Sequence, residues 1–241
     1  MNIEQFTYLA INLISVSVPL ACSFEEKLHF WKKWKYYLPS LCFTAAFFLI
    51  WDYFKTKYGV WSFNPKYVVG IYLWGMPLEE YLFFLTIPYA CTFIYETVAY
   101  FIKKNFIPAF SSTLLLLLAI VLMICSFMFL HKTYTWTVLF GSAIIMPFVP
   151  LILKGNKLQS FLLAYAISII PMLLVNGILT ALPVVMYNDS ENLGLRLGSI
   201  PVEDFLYNFI LLGMNILLYE LFRAKSAVGS IQKELPVVQL F

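Results

Sequence analysis

Charge is what this sequence has least of. Asp, Glu, Lys and Arg make up 12% of its 241 residues, against about 25% in soluble domains. Cysteine is also sparse. Cys22, Cys42, Cys91 and Cys125 stand singly in apolar stretches with no C-x-x-C pairing, which excludes a disulfide framework and leaves them as small buried hydrophobes. The two histidines, His29 and His131, have no companion at ligand spacing, so no metal is expected. No G-x-G-x-x-G follows a strand pattern, so the sequence offers no nucleotide-binding domain. What is abundant is apolar: 61% hydrophobic residues and 19% aromatic, with a mean hydropathy of +0.81. Apolar runs long enough to cross a bilayer recur throughout. That excludes a soluble enzyme, a nucleic-acid binder and a disordered chain.

The runs predict an all-α membrane protein with seven transmembrane helices, over residues 4–22, 37–53, 71–100, 111–130, 134–153, 158–182 and 201–223. The third exceeds the roughly 20 residues a span needs and contains Pro77 and Pro88, which predicts tilting, a kink or an interfacial portion. With seven spans, eleven of the 16 basic residues fall on one side and five, Lys55, Lys57, Lys66, Lys132 and Arg196, on the other. The positive-inside rule then places the N-terminus outside and the C-terminus in the cytosol of a cell (inner) membrane.

Sliding the chain against itself by 124 residues lays Leu49–Glu96 over Leu173–Glu220 without a gap. Pro77-Leu78-Glu79-Glu80 falls on Pro201-Val202-Glu203-Asp204, Asn64 on Asn188, Asp52 on Asn176, and Tyr95-Glu96 on Tyr219-Glu220. The expected organisation is a three-span repeat over 1–103, a connecting span over 104–130, a second three-span repeat over 131–225 and a short cytosolic tail over 226–241. The extra crossing makes the two repeats parallel, related by a two-fold axis along the membrane normal.

Seven of the 13 acids, Asp52, Glu79, Glu80, Glu96, Glu203, Asp204 and Glu220, lie within the second, third and last predicted spans, with no Lys or Arg well inside any span. An ionised side chain at the bilayer centre costs about 2.5–3.5 kcal/mol on insertion scales, so not all seven can be charged cheaply. A neutral carboxylic acid beside an ionised one is equipment for giving a proton at one atom and taking one at another. The two P-x-E-[ED] motifs are therefore the candidate catalytic set: Glu79, Glu80, Glu203 and Asp204. Proline at the first helical position would set them in the first turn, where the helix dipole favours negative charge. Asp52, Asn64, Asn176 and Asn188 are candidate supporting polar groups. Trp51, Trp61, Trp74, Phe83, Phe84 and Tyr207 are candidate substrate-binding aromatics, although such residues also belt every membrane interface. Glu96 and Glu220, near Lys103, Lys104 and Arg223, are expected to form interfacial ion pairs.

The strings Gly59-Val60-Trp61-Ser62-Phe63-Asn64-Pro65, Pro77-Leu78-Glu79-Glu80-Tyr81-Leu82-Phe83-Phe84 and Pro201-Val202-Glu203-Asp204-Phe205 resemble those of the small integral-membrane lycopene cyclases, of the bacterial heterodimeric and fungal type, in a fused single-chain form. The resemblance covers essentially the whole chain. It implies a lycopene β-cyclase of carotenoid biosynthesis that closes the acyclic ψ-ends of lycopene to β-rings, through γ-carotene to β-carotene. An acid protonates the terminal alkene, an internal double bond attacks the cation, and a base removes a ring proton. There is no net redox change, so an isomerase-type intramolecular lyase needing no cofactor is implied. The implied partners are the carotenoid substrate, the lipid bilayer and other carotenoid enzymes. Alternatives are a carotenoid cyclase of different ring type and a proton-coupled transporter of a small solute, since duplicated spans with buried carboxylates describe that class as well. A retinal-binding protein is excluded, because residues 201–223 hold no Schiff-base lysine before Arg223. Asn188-Asp189-Ser190-Glu191 faintly resembles a magnesium-diphosphate motif, with no second acidic cluster to support it.

Overall fold

The computed structural model describes residues 2–108 and 110–234. These form seven α-helices: α1 (Thr7–Cys22), α2 (Trp34–Lys57), α3 (Leu78–Phe101), α4 (Ser111–Met128), α5 (Thr133–Ile152), α6 (Asn156–Ala181) and α7 (Glu203–Glu234). Each contains a stretch long and apolar enough to cross a membrane, as the hydropathy pattern predicts. Six short strands stand at one end of the bundle: β1 (Trp61–Phe63), β2 (Tyr72–Leu73), β3 (Met76–Pro77), β4 (Val185–Tyr187), β5 (Arg196–Leu197) and β6 (Ile200–Pro201).

Three boundaries differ from the sequence expectation. The overlong third span is two elements. Ile71 to Leu73 read as the start of a helix by hydropathy, but β2 folds back on β3 through Trp74-Gly75, both at positive φ, the backbone of a two-residue type I′ turn. Pro77 thus sits in extended backbone as the N-cap of α3 rather than inside its first turn, and Glu79 and Glu80 still fall in that turn. α2 runs on to Lys57, so Lys55, expected in a loop, is buried in the last turn of a membrane helix. Its ammonium group donates to Thr133 O at 2.9 Å and Thr137 Oγ1 at 2.5 Å. α7 extends well past residue 223 into the expected tail; residues 235–241 of that tail lie outside the described residues.

Helix association in lipid rests on close packing and hydrogen bonds rather than on hydrophobic burial. α1 packs on α3, α5 on α7, α2 on α7 and α3 on α6, while α4 lies against α5 with Leu114, Leu117, Ile120, Val121 and Ile124 exposed. Small residues set the closest approaches. A Cβ on Gly213 of α7 would stand 3.0 Å from Ile145 Cγ2 of α5. Asn215 donates to Thr92 Oγ1 across α7 and α3 at 2.8 Å, a contact of about 0.6–2 kcal/mol in this setting.

Positions 124 apart hold matching elements. The hairpin pairing Tyr72 with Pro77 and Leu73 with Met76 has its counterpart in Arg196 with Pro201 and Leu197 with Ile200. β1 and β4 pair with each other, antiparallel, with Ser62 opposite Met186, Trp61 opposite Tyr187 and Phe63 opposite Val185. Side chains alternate along this ribbon, so Trp61, Phe63, Val185 and Tyr187 point down into the bundle while Ser62 and Met186 are exposed.

At the opposite end, Tyr95 donates to Glu220 at 3.0 Å and Tyr219 to Glu96 at 2.7 Å. Lys33 pairs with Glu96, and Lys157 with Glu220 at 2.6 Å. Arg223 reaches both carboxylates, at 3.5 and 3.4 Å. Glu96 and Glu220 are thus ion-paired as expected, but with Lys33 and Lys157 in place of Lys103 and Lys104. The latter point elsewhere, Lys103 capping the carbonyl of Ala99.

Candidate active site

Six helix ends converge beneath the β1–β4 ribbon: the starts of α1, α3, α5 and α7 and the ends of α2 and α6. Together they line a cavity walled by Tyr8, Asp52, Trp61, Phe63, Glu80, Phe83, Phe84, Tyr134, Asn176, Tyr187, Asp204 and Tyr207, with Leu179 and Val185. Glu80 and Asp204 are 6% and 2% exposed and face this one space from α3 and α7.

Their surroundings differ. Glu80 Oε2 accepts from the Tyr8 hydroxyl at 2.6 Å, and its carboxyl neighbours that of Asp52 in the same cavity. Asp52 Oδ1 in turn accepts from Tyr207 at 2.8 Å. Two neighbouring carboxyl groups disfavour joint ionisation, because like charges repel. Asp204 has no carboxyl partner of that kind. Tyr134 donates to its Oδ1 at 2.5 Å, Asn176 to its Oδ2 at 3.1 Å, and Tyr187 to both oxygens at 3.2 and 3.1 Å. Donors filling both oxygens suit the ionised, acceptor-only form. Burial pushes the Tyr187 phenol well above its usual range, with the adjacent Asp204 carboxylate adding to the effect, so it stays a donor.

The four P-x-E-[ED] acids therefore separate into two kinds. Glu79 and Glu203, one position earlier and about 100° around the helix, turn away from the cavity. Glu79 Oε1 accepts the Val69 backbone N–H at 2.6 Å, and Glu203 Oε1 accepts that of Leu193 at 2.8 Å together with Thr135 Oγ1 at 2.6 Å. They tie the loops ahead of the two hairpins to the helix starts, and their second oxygens are buried without a partner. Asn64 and Asn188 are also loop residues. Asn64 accepts from Lys66 N–H, and Asn188 donates to Gly59 O and accepts from Ser190. Trp74 is 77% exposed at its hairpin tip. Trp51 lies outside the cavity, stacked on Phe48. Trp61, Phe83, Phe84 and Tyr207 do line it.

The phenols that serve the carboxylates, Tyr8, Tyr134 and Tyr187, are absent from the sequence expectation. Tyr8 and Tyr134 stand 126 apart, whereas Lys33 and Lys157 stand 124 apart. The stretch from Tyr8 to Lys33 is thus two residues longer than that from Tyr134 to Lys157, and an ungapped offset of 124 sets Tyr8 against Lys132 and hides the pair. The diphosphate-like string is accounted for as loop chemistry. Asp189 pairs with Arg196 at 2.5 Å, whose guanidinium holds its carboxyl below the usual range, and Glu191 caps Thr133 N–H at 3.1 Å.

Comparison with known proteins bears on what such a site is for. No solved structure matches the chain. A bifunctional lycopene cyclase/phytoene synthase of Neurospora crassa is 41% identical over 59 residues, which is 24% of this chain and only 10% of the fungal protein. The family model described as lycopene cyclase matches residues 5–98 and 131–222, passing over the stretch that holds α4. These segments contain every residue of the cavity and most of the chain: it belongs to the lycopene cyclase family.

Proposed function

We propose that this protein is a lycopene β-cyclase in which the Asp52–Glu80 pair gives the proton and Asp204 takes one back. The observation that carries the reading is the presence, in one aromatic-walled cavity, of two neighbouring carboxyl groups, Asp52 and Glu80, and of a carboxylate, Asp204, whose oxygens are filled by donors. Glu80 protonates the terminal alkene of a ψ-end. The resulting tertiary cation is attacked by the internal double bond, closing the ring and moving the charge onto it. Asp204 removes a ring proton, leaving a neutral β-end. One proton enters and one leaves, so the reaction is an isomerisation without redox change. The faces of Trp61, Phe83, Phe84 and Tyr207 stabilise the passing cation, while Tyr134, Tyr187 and Asn176 hold the base in place. Repeating the reaction at the other end converts γ-carotene to β-carotene.

In the same reading, residues 1–103 and 131–225 are parallel copies about an axis through the Ser62–Met186 pair, joined by the connecting span, and the carboxylate end faces outside with the basic end in the cytosol. Placing α2 as far as Lys57 withdraws Lys55 from the outer loops and strengthens that bias. Expression in lycopene-accumulating cells with pigment analysis tests the function. Cyclic carotenoid is expected from the parent chain, and its loss from Glu80→Gln and Asp204→Asn at unchanged protein level. A well-expressed parent chain that leaves lycopene acyclic sinks the proposal.

A further inference from the structure

The cavity continues into a second space that runs down between α1, α3, α6 and α7 and shares Phe83, Asn176, Asp204 and Tyr207 with it. From Phe83 to Ile94 the slot follows α3 for eleven residues, about 16 Å at ~1.5 Å per residue. Its walls are mostly apolar, with Asn208 the polar side chain beyond those shared with the cavity and the two serines. Ser15 and Ser168 line it, but their hydroxyls bond to the Ile11 and Tyr165 carbonyls of their own helices. Pro171 is exposed and Ser15, Ile87, Ala90 and Val175 are half-buried, so the slot opens sideways at bilayer depth, where the surroundings are lipid.

The corresponding gap, between α2 and α5, is shut. The residues 124 positions before Pro171, Met172 and Val175 are Phe47, Phe48 and Trp51. Trp51 stacks on Phe48 with ring centroids 5.6 Å apart, and Phe48 meets Tyr207 edge-on at 5.3 Å. The edge of the Trp51 ring fills the notch at Gly141 of α5, where a Cβ would come within 3.1 Å of it. A groove outside this plug is floored by Trp51 and reaches none of the cavity carboxylates.

We infer that the slot between α1 and α6 is the single lateral portal of the site, admitting one end of a linear polyene from the bilayer, and that Phe48 and Trp51 close its counterpart. This rests on the cyclase reading and assigns its substrate path. A slot about 16 Å deep is roughly half the ~30 Å hydrocarbon thickness. A C40 chain seated with one end at Asp204 leaves its far half in lipid, and only one end reacts per visit. The second ring then requires release and return of the monocyclic product in the opposite sense.

The test uses the full chain carrying Glu80→Gln, purified from lycopene-accumulating cells, with bound lycopene read by absorbance. Near-stoichiometric lycopene is expected. Adding Val175→Trp, which copies the plug into the open side, is expected to lower bound lycopene at least tenfold and, in the parent background, to lower turnover by a similar factor. Leu174→Trp, one position away and 65% exposed to lipid, is expected to change neither. Met172→Phe provides the same blockade with a smaller volume change should Val175→Trp fail to fold. Normal lycopene binding and cyclisation with both Val175→Trp and Met172→Phe overturn the portal while leaving the cyclase reading standing. A parent chain that turns over no lycopene, with a Glu80→Gln protein that holds none, overturns both.

Discussion

The two ends of the bundle set the same residue type to opposite uses. At the basic end, Glu96 and Glu220 are 3% exposed, yet each has a lysine, a share of Arg223 and a tyrosine hydroxyl. At the ribbon end, Glu80 and Asp204 are buried as deeply and have only phenols, an amide and another carboxyl. Burial therefore does not distinguish the two ends; the presence of a cation within contact at one and its absence at the other does. An acid locked to a lysine and an arginine has its charge fixed by neighbours that cannot leave. One held by phenols can exchange its proton with a ligand, because the groups around it donate hydrogen bonds without supplying a full charge.

The largest expected effect that would break this contrast is at the cavity. Glu80→Gln or Asp204→Asn should lower cyclisation by about 10²–10⁴-fold, the range for a general acid or base, with little loss of thermal stability. Glu220→Gln should do the reverse, keeping turnover and lowering stability by about 1–3 kcal/mol as charge-assisted hydrogen bonds are lost, read from unfolding in detergent. If Glu220→Gln abolishes turnover in a stable protein, the division is wrong.

Within the motif the comparison sharpens. Glu79→Gln should cost no more than about tenfold in turnover, since its tie to Val69 persists in weakened form, whereas its neighbour Glu80 should be indispensable; equal losses would erase the distinction between cavity and loop carboxylates. Tyr134→Phe, removing one of three donors to Asp204, should lie between, at about 5–30-fold for a lost hydrogen bond of 1–2 kcal/mol, and should shift the pH dependence of turnover while Tyr95→Phe at the basic end leaves it alone. The smallest effect belongs to Asp189→Asn. An exposed ion pair contributes about 0–1 kcal/mol. With its carboxyl held low in the folded chain, that contribution is present at neutral pH and fades as pH falls through the folded pKa, so the variant and parent should converge in stability in acid.

Most of the architecture was legible in the sequence. Seven apolar runs are physically unambiguous, and acids within them at a common spacing pointed to Glu80, Asp204, Asp52 and Asn176 before any coordinates. Two things were not legible. Hydropathy alone does not tell an interfacial hairpin from a helix start, so Ile71–Trp74 was absorbed into a span although Trp74-Gly75 is a turn. And adjacent acids in one helical turn point in directions that composition leaves open: Glu79 and Glu80 look equivalent as letters, but the backbone N–H of Val69 captures the first and leaves the second to the cavity. The tyrosines escape the pattern for a simpler reason, since two extra residues between Tyr8 and Lys33 displace Tyr8 from the alignment that reveals its counterpart.

The β1–β4 ribbon has a consequence for product identity. On the proposed mechanism a tertiary carbocation exists beneath it, and the first water molecule to reach such a cation turns it into an alcohol. Trp61, Phe63, Val185 and Tyr187 hang from the ribbon's underside between the cavity and the aqueous face. On that mechanism, three backbone pairs and four side chains separate ring closure from hydration, and what they would secure is that a hydrocarbon leaves as a hydrocarbon.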